Sequence, residues 1–150
     1  MNDQEFDALI NRIQDEVFTE AREALGEKGF DRWRNPKYCG KMEDADTSAQ
    51  LTGACGDTMW MYIKAHDNRL ENISYFTDGC SSSSIAGSFA AELGMGKTFE
   101  EVLDLTGADV LREIGRFPKE EEHCAHLAVR TLQEAVNTYM INAVNRAKGQ

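Results

Sequence analysis

Thr58-Met59-Trp60-Met61-Tyr62-Ile63-Lys64 and Arg69-Leu70-Glu71-Asn72-Ile73-Ser74-Tyr75-Phe76, joined through His66-Asp67-Asn68, read as two strands and a turn. Apolar and polar residues alternate along both runs, and the turn is polar, so the pair forms an antiparallel hairpin. Met59 and Met61 then face one side as ordinary packing and Trp60 the other, with His66 exposed at the tip. The hairpin has a geometric consequence. Cys55 lies just before its first strand and Cys80 just after its second, so both return to the same end of the sheet.

Downstream, Thr77-Asp78-Gly79-Cys80-Ser81-Ser82-Ser83-Ser84-Ile85-Ala86-Gly87 leaves a strand and opens a helix. A cysteine at that junction sits near helix N–H groups that favour the thiolate. The serines that follow suit the capping of free backbone donors. This stretch alone leaves two readings open, a reactive or metal-binding thiol and a helix-start cysteine without chemistry.

Upstream, Phe6, Leu9, Ile10, Ile13, Val17, Phe18, Ala21 and Leu25 recur at helical spacing, predicting a helix docked on the core and ended by Gly26 and Gly29. Residues 30–54 read as a mobile loop, with a turn at Asn35-Pro36-Lys37-Tyr38 and a short strand around Tyr38–Met42. Trp33 and Tyr38 are either partner contacts or pins holding that loop to the core. After the hairpin come helices over Ser81–Leu93, Thr98–Leu105 (a capping box of Thr98 and Glu101) and Ala108–Ile114. A long amphipathic helix follows from about Glu121 to Ala147. Strands first and helices afterwards predict an α+β fold: a small antiparallel sheet of about three strands, covered by helices on one face, with a long C-terminal helix. The expectation is a single domain over 1–150, divided into an N-terminal helix (1–29), a mobile loop region (30–54), the hairpin (55–78) and a helical part (79–150).

With 16 basic against 26 acidic residues the formal charge is −10, which argues against general affinity for DNA, RNA or anionic lipid. Met1-Asn2-Asp3-Gln4-Glu5 is no signal peptide and no apolar run approaches membrane-spanning length, so a cytoplasmic protein without membrane association is expected. Cys39, Cys55, Cys80 and Cys124 form no CxxC pair, which excludes a thioredoxin motif or zinc ribbon.

Three groups remain: Cys55-Gly56-Asp57, Cys80, and His123-Cys124 at the start of the last helix. Thiolates with a neighbouring carboxylate and imidazole suit zinc or an iron–sulfur cluster, provided the fold gathers them.

The chain resembles the U-type iron–sulfur cluster assembly scaffolds, the IscU proteins and the N-terminal domain of NifU. The resemblance rests on Asn35-Pro36, Gly53-Ala54-Cys55-Gly56-Asp57, Gly79-Cys80 with Ser83-Ser84-Ile85-Ala86, Gly96-Lys97-Thr98, and His123-Cys124-Ala125-His126-Leu127-Ala128, in collinear order over roughly 30–145.

That resemblance implies a scaffold rather than an enzyme. A cysteine desulfurase delivers sulfur, an iron donor supplies iron, and a labile 2Fe–2S cluster forms on Cys55, Cys80 and Cys124 before transfer to apo acceptor proteins. Asp57 and His123 match the family's aspartate and histidine and join the metal ligands. An incomplete thiolate set suits a site that releases its cargo. The alternative within the family is a zinc-containing sulfur acceptor that activates a desulfurase, as in the SufU branch, with zinc on Cys55, Asp57, Cys80 and Cys124. The same ligand set leaves zinc open as an occupant of the cluster-free form.

Phe117-Pro118-Lys119-Glu120-Glu121-Glu122 departs from the Leu-Pro-Pro-Val-Lys chaperone motif of IscU proteins, so dependence on a specialised Hsp70 is not expected. The glutamates read as favourable charge at a helix N-terminus. His126 is either a support to the site or exposed, and Cys39 reads as a structural, buried thiol.

Overall fold

The antiparallel sheet is built in sequence order. The structure, a computed structural model, describes residues 2–149, so Met1 and Gln150 of the expected domain lie outside it. β1 (Thr47–Thr52) pairs with β2 (Thr58–His66), which pairs with β3 (Arg69–Thr77). Asp67 and Asn68 adopt φ of 53° and 62°, the left-handed pair that a two-residue hairpin turn needs. Met59, Met61 and Ile63 from β2 and Leu70, Ile73 and Tyr75 from β3 are all buried on one face. Trp60 and Phe76 stack on the other, with ring centroids 5.5 Å apart.

The helices are α1 (Asp3–Arg34), α2 (Ser81–Gly94), α3 (Phe99–Leu103), α4 (Gly107–Ile114) and α5 (His123–Lys148), the last preceded by a 3₁₀ turn at Lys119–Glu121. α2 and α5 cover the buried face of the sheet and pack on each other, contributing Ile85, Phe89, Leu132 and Val136 to the core. Burying each such side chain contributes about 1.5–3 kcal/mol. Gly87 lets α2 lie directly on the Tyr75 ring, since a Cβ there would come within 2.7 Å of it. Thr98–Glu101 and Thr106–Asp109 form capping boxes that start α3 and α4. The expected α+β architecture, with helices on one face and a long C-terminal helix, is the observed one.

Two expectations need correction. The loop region contains β1, an edge strand whose Ala49 and Leu51 alternate with exposed polar residues. Two partly buried apolar positions in a polar run give almost no periodic signal. The strand expected around Tyr38–Met42 reduces to one bridge, between Cys39 and Tyr75.

The second correction concerns α1. Gly26, at φ 74°, interrupts it. Arg34 caps the Phe18 ring at 4.5 Å, yet the 16 positions between them (34 − 18) would span about 24 Å of continuous helix. The chain therefore folds back at Gly26 and packs Phe18 against Phe30 and Trp33. Phe6, Ile10, Ile13 and Val17 stay exposed, so only the C-terminal part of the apolar stripe docks. Trp33 and Tyr38 are packed against the core. Among the described residues no helix is long and apolar enough to cross a membrane.

Candidate metal centre

Three chain segments meet at one end of the sheet: the β1–β2 turn, the β3–α2 junction, and the entry to α5. The β1–β2 turn is tight. Gly53 N–H donates to the Asp57 carbonyl at 2.8 Å and Gly56 N–H to the Gly53 carbonyl at 3.0 Å. Gly56 has φ 91°, a conformation glycine adopts without strain. Cys55 is thereby presented, exposed, at the tip of the turn.

The β3–α2 junction is latched to the start of β2. Thr58 N–H donates to Asp78 Oδ1 at 2.8 Å, and Thr77 Oγ1 donates to the Thr58 carbonyl at 2.8 Å. Cys80 follows as the N-cap residue of α2, exposed, with extended backbone and no side-chain cap bond. The serines after it do other work than the capping expected of them. Ser83 Oγ donates to Asp57 Oδ2 at 2.8 Å and lies 3.4 Å from Cys124 Sγ, while Ser84 Oγ pairs with the Tyr75 hydroxyl at 2.8 Å. Burial pushes that tyrosine up to about 12.

At the entry to α5, His123 Nε2 lies 3.2 Å from Cys55 Sγ and 3.7 Å from Cys124 Sγ. The imidazole thus joins the β1–β2 turn to the helix. Cys124 is fully buried, and burial pushes its thiol up to about 11. The Ser83 hydroxyl works against that shift, while the acidic groups of Cys80, Glu121 and Cys55 add to it.

Glu121 was missed as a site residue. Its Oε2 lies 3.8 Å from Cys124 Sγ and 4.0 Å from His123 Nε2. Donor atoms of Glu121, His123 and Cys124 all lie within 4.8 Å of one another. The signal in sequence was the spacing of three between Glu121 and Cys124, which shares a helical face, but a run of glutamates conceals which one points inward. Gly79 is a second unread feature. A Cβ on it would come within 2.6 Å of Asp57 Oδ2 and 2.7 Å of Ser83 Oγ, so the junction backbone closes directly over the carboxylate.

Cys55, Asp57, His123 and Cys124 are thus linked by direct contacts or through Ser83, and Cys80 opens the helix that carries Ser83. Thiols, an imidazole and carboxylates in such reach suit zinc or ferrous iron. His126 is not part of this group. It is exposed and lies over Gly107 of α4, where a Cβ would strike its ring.

Cys39 is exposed, contrary to the expectation of burial. Tyr75 N–H donates to the Tyr38 carbonyl and Gly40 N–H to the Tyr75 carbonyl, both at 2.8 Å, which pins Cys39 along β3. Tyr38 pays for this with φ 67°. A cavity of about 330 Å³ is lined by Cys39 and Cys80 together with Trp33 and Tyr75.

Comparison with known proteins gives a consistent picture. A family model described as "NifU-like N terminal domain" matches residues 25–146. Iron-sulfur cluster assembly scaffold protein IscU 1 of Archaeoglobus fulgidus is 41% identical over 114 residues, covering 75% of this chain and 74% of that protein. The scaffold protein IscU of Aquifex aeolicus is 34% identical over 118 residues, covering 77% and 75%. Among solved structures, the N-terminal part of a NifU-like protein from Brucella abortus superimposes with TM-score 0.63 at 15% identity, over 80% of this chain and 96% of that one, a likeness of fold.

Proposed function

This chain belongs to the NifU-like N-terminal domain family, and from that membership we propose that it is a scaffold on which a labile 2Fe–2S cluster is assembled and then passed on. Iron and sulfur are its cargo. A cysteine desulfurase supplies the sulfur, an iron donor the metal, and apo iron–sulfur proteins receive the product. The protein itself is no enzyme in this scheme, and its place is the cytoplasm.

Cys55, Cys80 and Cys124 are the proposed cluster ligands, with Asp57 and His123 as exchangeable oxygen and nitrogen donors. The contact of His123 Nε2 with both Cys55 Sγ and Cys124 Sγ, at 3.2 Å and 3.7 Å, carries the reading. It puts a turn cysteine and a helix cysteine from distant parts of the chain around one imidazole. Exposed Cys55 and Cys80 leave the site open to a donor and an acceptor, while buried Cys124 anchors it. Oxygen and nitrogen donors bind iron less tenaciously than a fourth thiolate, which favours release.

The test is anaerobic reconstitution with ferrous iron, cysteine and a catalytic amount of cysteine desulfurase, followed by addition of an apo-ferredoxin. A 2Fe–2S chromophore with matching iron and sulfide counts, which moves to the ferredoxin, is the expected result. Bound zinc, no chromophore and faster desulfurase turnover would instead assign the sulfur-acceptor role.

A further inference from the structure

We propose that Phe6, Ile10, Ile13 and Val17 make α1 a docking face for a partner protein whose surface offers an apolar groove edged with lysine and arginine. The face lies ahead of residues 25–146, which the family model matches, and apart from the metal centre. The partner's task rests on the scaffold reading. The face itself rests on apolar exposure and charge.

The four side chains are between 44% and 54% exposed, and they follow one another at spacings of four, three and four. At 3.6 residues per turn they fall within an arc of about 60° on the helix. Exposed apolar residues scattered singly are ordinary, whereas an unbroken stripe marks an interaction surface of the helix-in-groove kind. The stripe is also held in place. Asn2 and Glu5 form a capping box that starts the helix. Towards the other end, Arg116 Nη1 donates to the Glu23 carbonyl at 2.9 Å. The Phe18 ring packs on Phe30 and Trp33, with centroids 5.9 Å and 6.5 Å apart. A helix fixed before binding loses little entropy on binding.

Charge selects the occupant. Residues 3–25 carry seven acidic and two basic side chains, a net of 2 − 7 = −5, which is half of the −10 of the whole chain. Asp3 and Asp7 border one side of the stripe and Glu16 and Glu20 the other, all exposed. Arg12 and Arg22 lie well outside it, and Arg22 is turned over the Phe30 ring at 4.6 Å. Asp3 with Asp7, and Glu16 with Glu20, are like-charge pairs four apart, which weaken an isolated helix. Lysine and arginine along the rim of a groove would offset both pairs. Pairing the stripe with a second copy would set acid against acid, and an anionic membrane would do the same.

The direction of the helix before Gly26 gives the partner its place. Arg34 stands over Phe18, so the twelve positions from Phe18 to Phe6 (18 − 6) carry the stripe about 18 Å beyond that point. Trp33, next to Arg34, lines a cavity together with Cys39 and Cys80. A protein docked on the stripe is thus held close to the Cys80 side of the centre, where cargo is exchanged.

Benzoylphenylalanine in place of Gln14, an exposed residue at the margin of the stripe, is irradiated in cells that make the protein naturally. The crosslinked protein is then purified, and its binding to the full chain is measured by fluorescence anisotropy. The expected result is a different protein whose affinity falls at least about tenfold with Ile10→Asp/Ile13→Asp, as loss of central apolar anchors does. The affinity is also expected to fall with Asp7→Lys/Glu16→Lys and as salt is raised. The charge variant keeps the stripe, and circular dichroism of both variants checks that the helix persists. Any of five results would overturn the proposal: no crosslink, a crosslink to a second copy, sedimentation as a dimer through the stripe, binding to phosphatidylcholine vesicles in place of a protein, or a captured protein whose affinity ignores either variant. Cluster formation from ferrous iron and inorganic sulfide needs no partner and is expected unchanged in both variants. Its failure in the wild type would count against the scaffold reading alone and leave the docking result readable.

Discussion

Ser83 Oγ donates to Asp57 Oδ2 at 2.8 Å while lying 3.4 Å from Cys124 Sγ, so one hydroxyl ties the site's aspartate to its buried thiol. A single hydroxyl proton serves one acceptor at a time. In the proposed scheme a thiolate at Cys124 would compete with Asp57 for that hydroxyl, and Asp57 would then be free to serve as an oxygen donor to iron. Asp57→Ala removes this oxygen donor and leaves the thiolates in place. Holo-protein of that variant is expected to lose its cluster severalfold more slowly than the wild type, followed by decay of the visible absorption in the presence of a chelator. A lifetime equal to or shorter than the wild type's would remove Asp57 from the exchangeable position.

Gly79→Ala tests the same corner by crowding it. The added Cβ would lie 2.6 Å from Asp57 Oδ2 and 2.7 Å from Ser83 Oγ, and neither group belongs to a long flexible side chain. Overpacking of this kind costs about 1–3 kcal/mol. The expected outcome is a lower denaturation midpoint together with altered metal affinity. An unchanged midpoint would mean that the junction relaxes without cost.

Much of this arrangement was legible from residues alone. The alternation in β2 and β3 placed Cys55 and Cys80 at one end of the sheet, because the side-chain period of a strand and the two-residue turn leave little freedom. The capping box at Thr98 was equally local, as was the break at Gly26, although the helix resumes beyond it and runs through Gly29, expected to end it, to Arg34. β1 was not legible, since an edge strand with one solvated face and two apolar residues looks like a loop. Nor was the fate of Phe6, Ile10, Ile13 and Val17. Helical periodicity says that a stripe exists, and only the reversal at Gly26 decides which part of it meets the body. Glu121 and Ser83 escaped because their roles depend on contacts between segments far apart in sequence, which capping and dipole arguments do not reach.

The buried thiol has a pH signature in the metal-free protein. Cys124 titrates near 11 when folded against an ordinary value of 9.0, so between these values the folded state holds a proton that the unfolded chain has lost. Its contribution to stability is therefore complete below pH 9.0 and is lost as pH rises through about 11. Iodoacetamide at pH 8 followed by peptide mass spectrometry should label exposed Cys39, Cys55 and Cys80 well before Cys124, and raising the pH should narrow the gap. Equal labelling of Cys124 at pH 8 would contradict both its burial and its raised value.

Cys39 lies close enough to the centre to invite a role as a ligand, and the structure supplies the argument against one. Its position is set by the backbone bonds of Tyr38 and Gly40 to Tyr75, along the flank of β3, and it shares with Cys80 only the walls of a cavity. No contact joins it to Cys55, Asp57, His123 or Cys124 among the described residues, whereas those four are tied to one another directly or through Ser83. Cys39→Ser keeps the backbone bonds and exchanges one small exposed group for another, so stability should change by no more than about 0.5 kcal/mol. Reconstitution should give the same chromophore and the same iron and sulfide counts as the wild type. A chromophore that is lost or shifted in this variant would move Cys39 into the ligand set, and would require the cavity beside Cys80 to close around the cargo.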